Sequence, residues 1–252
     1  SYFSSQIIFI LIRESQHNLR KLSCEVEGEL SDGYHILDFP TRLEILRIYK
    51  VRYSSENIPF CISAPNLKSL TISGFRLNPQ NLSAIAQLQN LQVLKLYYVR
   101  FGYPSKWKVN NGEFPQLKVL KLQRHCPLEE WTVADDAFPN LEQLFLDSCR
   151  SLKEIPSSLG DISSLKYIEV TECNESVAKS AREIRETQVE DYQNADFKLF
   201  MWKNNSGTLL RKYICIQSHY KLYKLQMNVF QMMILQMISK AGWRSWLLEA
   251  GT

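Results

Sequence analysis

The chain contains none of the short motifs that assemble common catalytic sites. Its sequence has no G-x-x-x-x-G-K-[ST] phosphate-binding loop, no H-E-x-x-H zinc motif and no G-x-S-x-G nucleophile elbow. The histidines are scattered, at His17, His35, His125 and His219, so they form no cluster along the sequence. We therefore predict a protein that is not an enzyme, with no catalytic residue, no metal site and no cofactor held by this chain.

Paired cysteines and long apolar runs are missing as well. The six cysteines include no C-x-x-C pair, which disfavours a metal site and favours reduced, buried structural thiols over disulfides. The apolar run Ile7–Ile12 is too short to span a membrane and lacks the basic flank of a signal peptide. Membrane association is thus expected to be peripheral at most. A chain that begins at Ser1 is interpreted as a fragment or a processed product.

What the sequence does contain is a leucine that returns about every 24 residues. Each copy opens the same phrase, with an apolar residue three places on and another five places on, as in Leu141, Leu144 and Leu146. This period and phrase are typical of leucine-rich repeats, in which each coil contributes one short strand and a returning segment. The repeat leucines are Leu19, Leu43, Leu67, Leu91, Leu117, Leu141 and Leu165.

The phrase predicts which side chains are buried. Residues two apart in a strand share a face, so positions +3 and +5 after the leucine point inward and positions +2, +4 and +6 point outward. One coil cannot cover its own inward leucines, but stacked coils can. We predict an α/β leucine-rich-repeat solenoid, a horseshoe arc with a parallel concave sheet and irregular or short-helical convex segments.

The domain organisation follows from where this phrase begins and ends. Residues 1–16 are expected to end a preceding irregular repeat, and residues 17–174 to form about seven repeats. Residues 175–202 are expected to form a capping helix and a strand, because Val177, Ala181, Ile184 and Gln188 have helical spacing.

Residues 203–252 differ from everything before them. They contain seven Lys or Arg and one acidic residue, and four of the five methionines fall between Met227 and Met237. We predict an atypical, basic, poorly ordered tail. Its net charge of +6 exceeds the +4 of the whole chain, which leaves residues 1–202 at −2. A nearly neutral repeat body gives no expectation of a nucleic-acid partner.

The outward rows of the strands are the candidate protein-binding face. Aromatic residues and arginine stand there although nothing in the coil requires them, and such residues dominate binding energy when a partner buries them. A possible second contact is Trp107, in the loop Tyr103–Lys108 that carries the two extra residues of the fourth repeat; the alternative is an irregular convex loop whose Trp packs on the core. The predicted residues of the concave face are Arg47, Tyr49, Lys95, Tyr97, Lys121, Phe145 and Glu169.

Several repeats also resemble a known family. The segments Glu113–Leu122, Trp131–Leu144 and Ser164–Val170 look like the C-terminal repeats of plant late-blight resistance protein homologues, which are nucleotide-binding leucine-rich-repeat immune receptors. Asn174–Val177 and Glu186–Asp191 extend the resemblance, which covers about residues 17–201.

This resemblance implies the repeat region of a cytoplasmic disease-resistance receptor. In that family an ATP- or ADP-binding switch domain precedes the repeats, which restrain the switch and take part in perception of pathogen effectors, ending in hypersensitive cell death. The implied partners are a pathogen effector or a guarded host protein, and the upstream nucleotide-binding domain. ATP or ADP is expected only in that missing upstream domain.

Two other interpretations remain open on the sequence. The same solenoid can serve as a scaffold, for example as a substrate-recruiting subunit of a ubiquitin ligase. An extracellular receptor ectodomain is suggested by sequons at Asn81, Asn174 and Asn204, although the unpaired cysteines argue against it.

Overall fold

The computed structural model describes residues 19–26, 35–38, 41–50, 60–124, 126–203 and 213–214. The chain divides into two units, residues 1–215 and 216–252, and every described residue belongs to the first. The apolar run at Ile7–Ile12 and most of the basic tail lie outside the described residues. Within the described ranges, no helix has the length and apolarity that crossing a bilayer requires.

One strand from each repeat enters a single sheet. The neighbouring strands of the seven repeats all run parallel, as the return of the chain after each coil demands. Strands are numbered here in chain order. The sheet contains, in spatial order, β1 (Lys21–Val26), β3 (Ile45–Lys50), β5 (Ser69–Ser73), β7 (Val93–Tyr97), β10 (Val119–Gln123), β12 (Gln143–Asp147), β13 (Tyr167–Thr171), β14 (Lys198–Trp202) and β15 (Tyr213–Ile214).

The returning segments contain short strands and helices. The strands pair in three parallel couples, β2 with β4, β6 with β8 and β9 with β11. These elements are β2 (His35–Asp38), β4 (Phe60–Ser63), β6 (Arg76–Leu77), β8 (Arg100–Phe101), β9 (Lys106–Val109), β11 (Glu130–Val133), α1 (Pro79–Ala86), α2 (Glu175–Glu190) and a 3-10 helix at Ser157–Asp161.

The predicted register of the main sheet is confirmed. Leu120 of β10 lies opposite Leu94 of β7 on one side and Leu144 of β12 on the other. These leucines are fully buried, as are most residues at positions +3 and +5 of the described repeats. Their neighbours in β7, β10 and β12 are at least partly exposed, whereas the outward Thr71 of β5 is buried. The chain therefore forms a leucine-rich-repeat solenoid, and its core lies between the main sheet and the returning segments.

Five strands of the main sheet, β5, β7, β10, β12 and β13, are each followed by a residue with a left-handed backbone. This residue stands seven places after the repeat leucine and has a φ between 50° and 82°. The positive φ turns the chain out of the sheet immediately after the last outward side chain of the strand. The residues at this position are Gly74, Tyr98, Arg124, Ser148 and Glu172.

The helix expected in the third repeat is confirmed as α1. Asn78 caps its N-terminus: its side chain accepts a 2.7 Å hydrogen bond from the backbone N–H of Asn81, and the Asn81 side chain accepts one of 3.1 Å from the backbone N–H of Asn78. Pro79 follows at the first helical position, where a missing N–H costs nothing. The helix ends at Ala86, slightly before the predicted Leu88.

The last repeat is covered by α2 and β14. Val177, Ala181, Ile184 and Gln188, the residues with helical spacing, are all buried in α2. Asn174 caps this helix by accepting a hydrogen bond of 2.8 Å from the backbone N–H of Val177. Strand β14 extends the parallel sheet beside β13, and β15 then pairs with β14 in the antiparallel direction. The domain limits given above remain predictions.

Candidate protein-binding face

The outward side chains of the main sheet form a continuous surface, which we call the outer sheet face. It consists of positions +2, +4 and +6 of the described repeats together with the aligned residues of β14. Neighbouring strands lie about 4.8 Å apart, so each position forms a row across the sheet. The structure places all seven predicted residues there: Arg47 and Tyr49 on β3, Lys95 and Tyr97 on β7, Lys121 on β10, Phe145 on β12 and Glu169 on β13.

The two ends of the outer sheet face differ in chemistry. The central row reads Arg47, Thr71, Lys95 and Lys121 over β3 to β10, so this end is basic. From β12 onward the same row continues with Phe145, Glu169 and Phe200. The outer sheet face therefore presents cations at one end and aromatic rings with a carboxylate at the other.

Side chains at the aromatic end are held by contacts with one another. The Lys121 Nζ lies 3.6 Å from the centre of the Phe145 ring, a cation–π contact, and the Phe145 and Tyr167 rings are 5.4 Å apart. The Tyr167 hydroxyl donates a 2.6 Å hydrogen bond to Glu169. Burial, together with this hydrogen bond and the nearby carboxylate, raises the pKa of Tyr167, which therefore stays a neutral donor. Such contacts reduce the entropy lost when a partner binds.

Sequence reasoning missed part of this surface. Tyr167 stands in the first outward row, while Phe200 and Trp202 come from β14, whose register with the repeats the sequence did not define. Tyr98 and Arg124 follow their strands, at the left-handed position, and the Arg124 guanidinium donates to the Tyr98 hydroxyl at 3.3 Å. The alternation that predicted the other rows was the available signal for Tyr167.

The prediction that Trp107 contacts a partner is wrong. Its side chain is only 2% exposed and stacks on Trp131, with ring centres 5.6 Å apart and planes inclined by 9°. The edges of Phe114 and Phe138 complete the cluster. Trp107 points inward because it belongs to β9, where Lys106 and Lys108 take the outward positions.

The loop predicted over Tyr103–Lys108 is also shorter than expected. Lys106–Val109 forms β9 and pairs in parallel with β11, so the irregular part ends at Ser105. Tyr103, which is 94% exposed, is the aromatic residue that this loop does present to solvent. The strand forms because its alternation of polar and apolar residues matches that of β11 in the next coil.

Three cysteines of successive coils, Cys126, Cys149 and Cys173, meet inside the solenoid. All three are buried and free, and the Cys149 thiol donates to the Leu122 carbonyl at 3.6 Å. Hydrogen bonds with its two neighbouring thiols raise the pKa of Cys149, which therefore stays protonated and unreactive at neutral pH. In the described part of the chain no group of three His, Cys, Asp or Glu is arranged to hold a metal ion.

The repeat architecture defines a class of protein. Residues 8–196 match the model of a family described as "Leucine-rich repeat region", and the chain belongs to that family. Its repeats are thus the same kind of unit that builds the interaction surfaces of other leucine-rich-repeat proteins.

The similarity to curated proteins is narrower. The chain is 61% identical over 186 residues to a putative late blight resistance protein homolog of Solanum demissum, covering 73% of this chain and 15% of the relative. It is 57% identical over 202 residues to the late blight resistance protein R1-A of the same species. This match covers 79% of this chain and 15% of the relative. Another putative late blight resistance protein homolog from this species is 56% identical over 205 residues. This match covers 81% of this chain and 26% of the relative.

These comparisons confirm the resemblance to late-blight resistance protein homologues. They also show that the chain spans between about a seventh and a quarter of the length of these relatives. The segment that they share with this chain is its leucine-rich-repeat region.

Proposed function

We propose that this chain is the ligand-recognition and autoregulatory region of an intracellular disease-resistance receptor. The observation that carries the proposal is the outer sheet face, where Arg47, Tyr97, Lys121 and Phe145 point away from the core in a sequence similar to late-blight resistance proteins. No step of this function makes or breaks a covalent bond, so the region acts by binding and is not an enzyme.

Two partners fit this role. The first is the nucleotide-binding domain upstream of the repeats, which carries the ATP or ADP and which the repeats restrain. The second is a pathogen effector, or a host protein that the receptor guards, whose binding relieves the restraint and leads to hypersensitive cell death. Both partners are proteins, which agrees with a face that mixes aromatic rings with charges of both signs. The proposed location is the cytoplasm, with peripheral contact to a membrane at most.

The experiment replaces the repeat region of a late-blight resistance relative with this chain. The quadruple variant with Arg47, Tyr97, Lys121 and Phe145 changed to Ala is compared with the unmodified chimera. We expect association with the nucleotide-binding domain or the effector to weaken by about 3 kcal/mol or more in total, with thermal stability unchanged, because these side chains lie outside the core. Co-precipitation, titration of the purified domains and leaf cell-death assays give the readouts.

A matched control changes an aromatic residue and a lysine on the returning segments. Tyr103→Ala with Lys108→Ala removes exposed side chains of the same kinds from the opposite side of the coil. This pair should leave partner binding intact. Retention of all partner binding by the quadruple variant, together with loss in the control pair, would move recognition to the returning segments.

A further inference from the structure

Strand β5 carries the smallest outward side chains between two strands with long ones. Its outward residues are Ser69, Thr71 and Ser73, whereas Arg47 and Tyr49 stand on β3 and Lys95 and Tyr97 on β7. Strands β3 and β7 lie two strand spacings apart, a distance of about 10 Å. The result is a channel one strand wide, which we call the β5 trough, with hydroxyl groups on its floor and two cations and two phenols on its walls.

Thr71 shows how closely the walls enclose the floor. Its side chain points away from the core, yet it is only 5% exposed, unlike the other outward residues of the neighbouring strands. Arg47 and Lys95 are its lateral neighbours in the central row of the outer sheet face. Within the described residues, the Thr71 hydroxyl has no hydrogen-bond partner, which leaves it available to a ligand in the trough.

The two cations that flank Thr71 are not neutralised within the described part of the chain. Arg47 is exposed and Lys95 half-buried, and neither forms an ion pair there. Other cations of the same coils do pair: the Lys68 Nζ lies 3.2 Å from a Glu44 carboxylate oxygen at the side of the sheet. Among the described side chains, the trough therefore offers two positive charges that no carboxylate pairs with.

One row further along, Tyr49 and Tyr97 flank Ser73 in the same way. Burial raises the pKa of Tyr97, and proximity to Tyr49 raises it further. Both phenol side chains stand beside the same part of the trough, and Tyr97 stays protonated at neutral pH. The second position of the trough accordingly presents phenol hydroxyls.

We propose that the β5 trough binds an extended acidic segment of a partner protein, with one carboxylate held between Arg47 and Lys95 above Thr71. This inference rests on the proposed function and names the chemistry of its partner. In an extended segment, side chains two residues apart lie about 7 Å from each other on one face, the same spacing as Thr71 and Ser73. An acceptor two residues after the carboxylate therefore reaches the hydroxyls of Tyr49 and Tyr97.

The trough fits a peptide better than other anionic macromolecules. Nucleic acids and anionic membranes need many cations along an extended stripe. Here the central row changes from basic to aromatic at Phe145, and the floor between the two cations is uncharged. A narrow channel with two cations and several hydroxyls matches a single chain that carries a few carboxylates.

The test titrates the whole chain into a labelled peptide of alternating Glu and Ser and measures the fluorescence anisotropy of the peptide. A labelled peptide of alternating Gln and Ser is the uncharged probe. We expect the Glu peptide to bind and added salt to weaken it. Arg47→Gln and Lys95→Gln should each weaken binding about fivefold and together roughly twentyfold. Ser73→Phe, which fills the trough without changing charge, should abolish binding.

Lys108→Gln is the matched control, because Lys108 is an exposed cation on β9, away from the outer sheet face. It should leave binding of the Glu peptide unchanged. Equal weakening by Lys108→Gln, full binding by the double variant, or equal binding of the Gln peptide would overturn the inference. So would tighter, Arg47- and Lys95-dependent binding of single-stranded DNA or of phosphatidylserine vesicles. If the peptide fails to bind while the quadruple variant still loses its protein partner, the proposed function stands and only the trough assignment is wrong.

Discussion

The left-handed position that follows β5, β7, β10, β12 and β13 is filled by different residues, and only after β5 is it a glycine. A Cβ on Gly74 would lie 2.7 Å from the backbone carbonyl oxygen of Lys50, at a φ of +82°. The backbone of the neighbouring coil therefore leaves no room for a side chain at position 74. At the equivalent position after β12, Ser148 adopts a φ of 58° and does carry a side chain.

Gly74→Ala should therefore lower the free energy of unfolding by about 1–3 kcal/mol, because it adds both a backbone clash and left-handed strain. Chemical denaturation monitored by circular dichroism measures the loss. Ser148→Ala serves as the control and should cost less than about 1 kcal/mol, since it removes only the hydrogen bond from Ser148 to Asp147. Equal losses for the two variants would contradict this explanation.

A single carboxylate joins three coils on the side of the returning segments. The Glu130 oxygens lie 2.5 Å from the Lys106 Nζ and 2.7 Å from the Lys153 Nζ. The hydrogen bond with Lys106, and then that with Lys153, lower the pKa of Glu130 to about 2. Because the pKa is depressed in the folded chain, these bonds stabilise it above the ordinary pKa of 4.5, and the contribution is lost as the pH falls toward 2.

The carboxyl resonance of Glu130 should accordingly titrate near pH 2 in an NMR experiment. Lys106→Met or Lys153→Met should each move its pKa back toward 4.5 by removing one donor. Lys108→Met changes a lysine of the same strand that does not touch Glu130, so the pKa should hardly move. A Glu130 that titrates at its ordinary pKa in the unmodified chain would show that the two ion pairs do not form in solution.

The capping helix α2 is fastened to the returning segment of the sixth repeat by a buried amide. The Gln188 Nε2 donates to the carbonyl oxygens of Gly160 at 2.7 Å and Ile162 at 2.9 Å, and its Oε1 accepts from Asn194 at 2.8 Å. Gln188 is fully buried, so each bond replaces one that water would otherwise make.

Gln188→Leu should destabilise the chain by about 1–3 kcal/mol, although leucine is apolar and close in size, because two buried carbonyls and an amide lose their partner. Hydrogen exchange should localise the effect to α2 and the 3-10 helix at Ser157–Asp161. Glu186→Gln on the exposed side of the same helix should change little. A Gln188→Leu variant as stable as the unmodified chain would mean that these hydrogen bonds are dispensable.

The elements also show what a sequence can and cannot predict. The repeat leucines specify the strands, their register and the outward rows, because burial recurs with a fixed period. The period does not reveal β9, whose Lys-Trp-Lys-Val alternation spans only four residues. Nor does it reveal the β5 trough or the Lys121–Phe145 contact, which depend on the sizes and rotamers of side chains that meet from coils about 24 residues apart.

At the scale of the whole molecule, stability is a sum over neighbouring coils. Each coil of the described sheet buries its leucines against the coil before and the coil after, so no coil has a complete core by itself. A defect in a middle coil therefore removes two interfaces, whereas a defect on the outer sheet face removes none. This separation allows the residues of the outer sheet face to vary while the solenoid persists.

Leu144→Asp tests this account, because Leu144 is fully buried between Leu120 and Ile168. A carboxylate there has no partner, and we expect a loss of more than about 3 kcal/mol and of the single cooperative transition, since coils on either side no longer unfold together. Differential scanning calorimetry distinguishes one transition from two. Gln143→Asp places the same charge one residue earlier, on an exposed side chain of β12, and should leave the transition intact. If the two variants melted alike, the assignment of Leu144 to the core and Gln143 to the outer sheet face would be wrong.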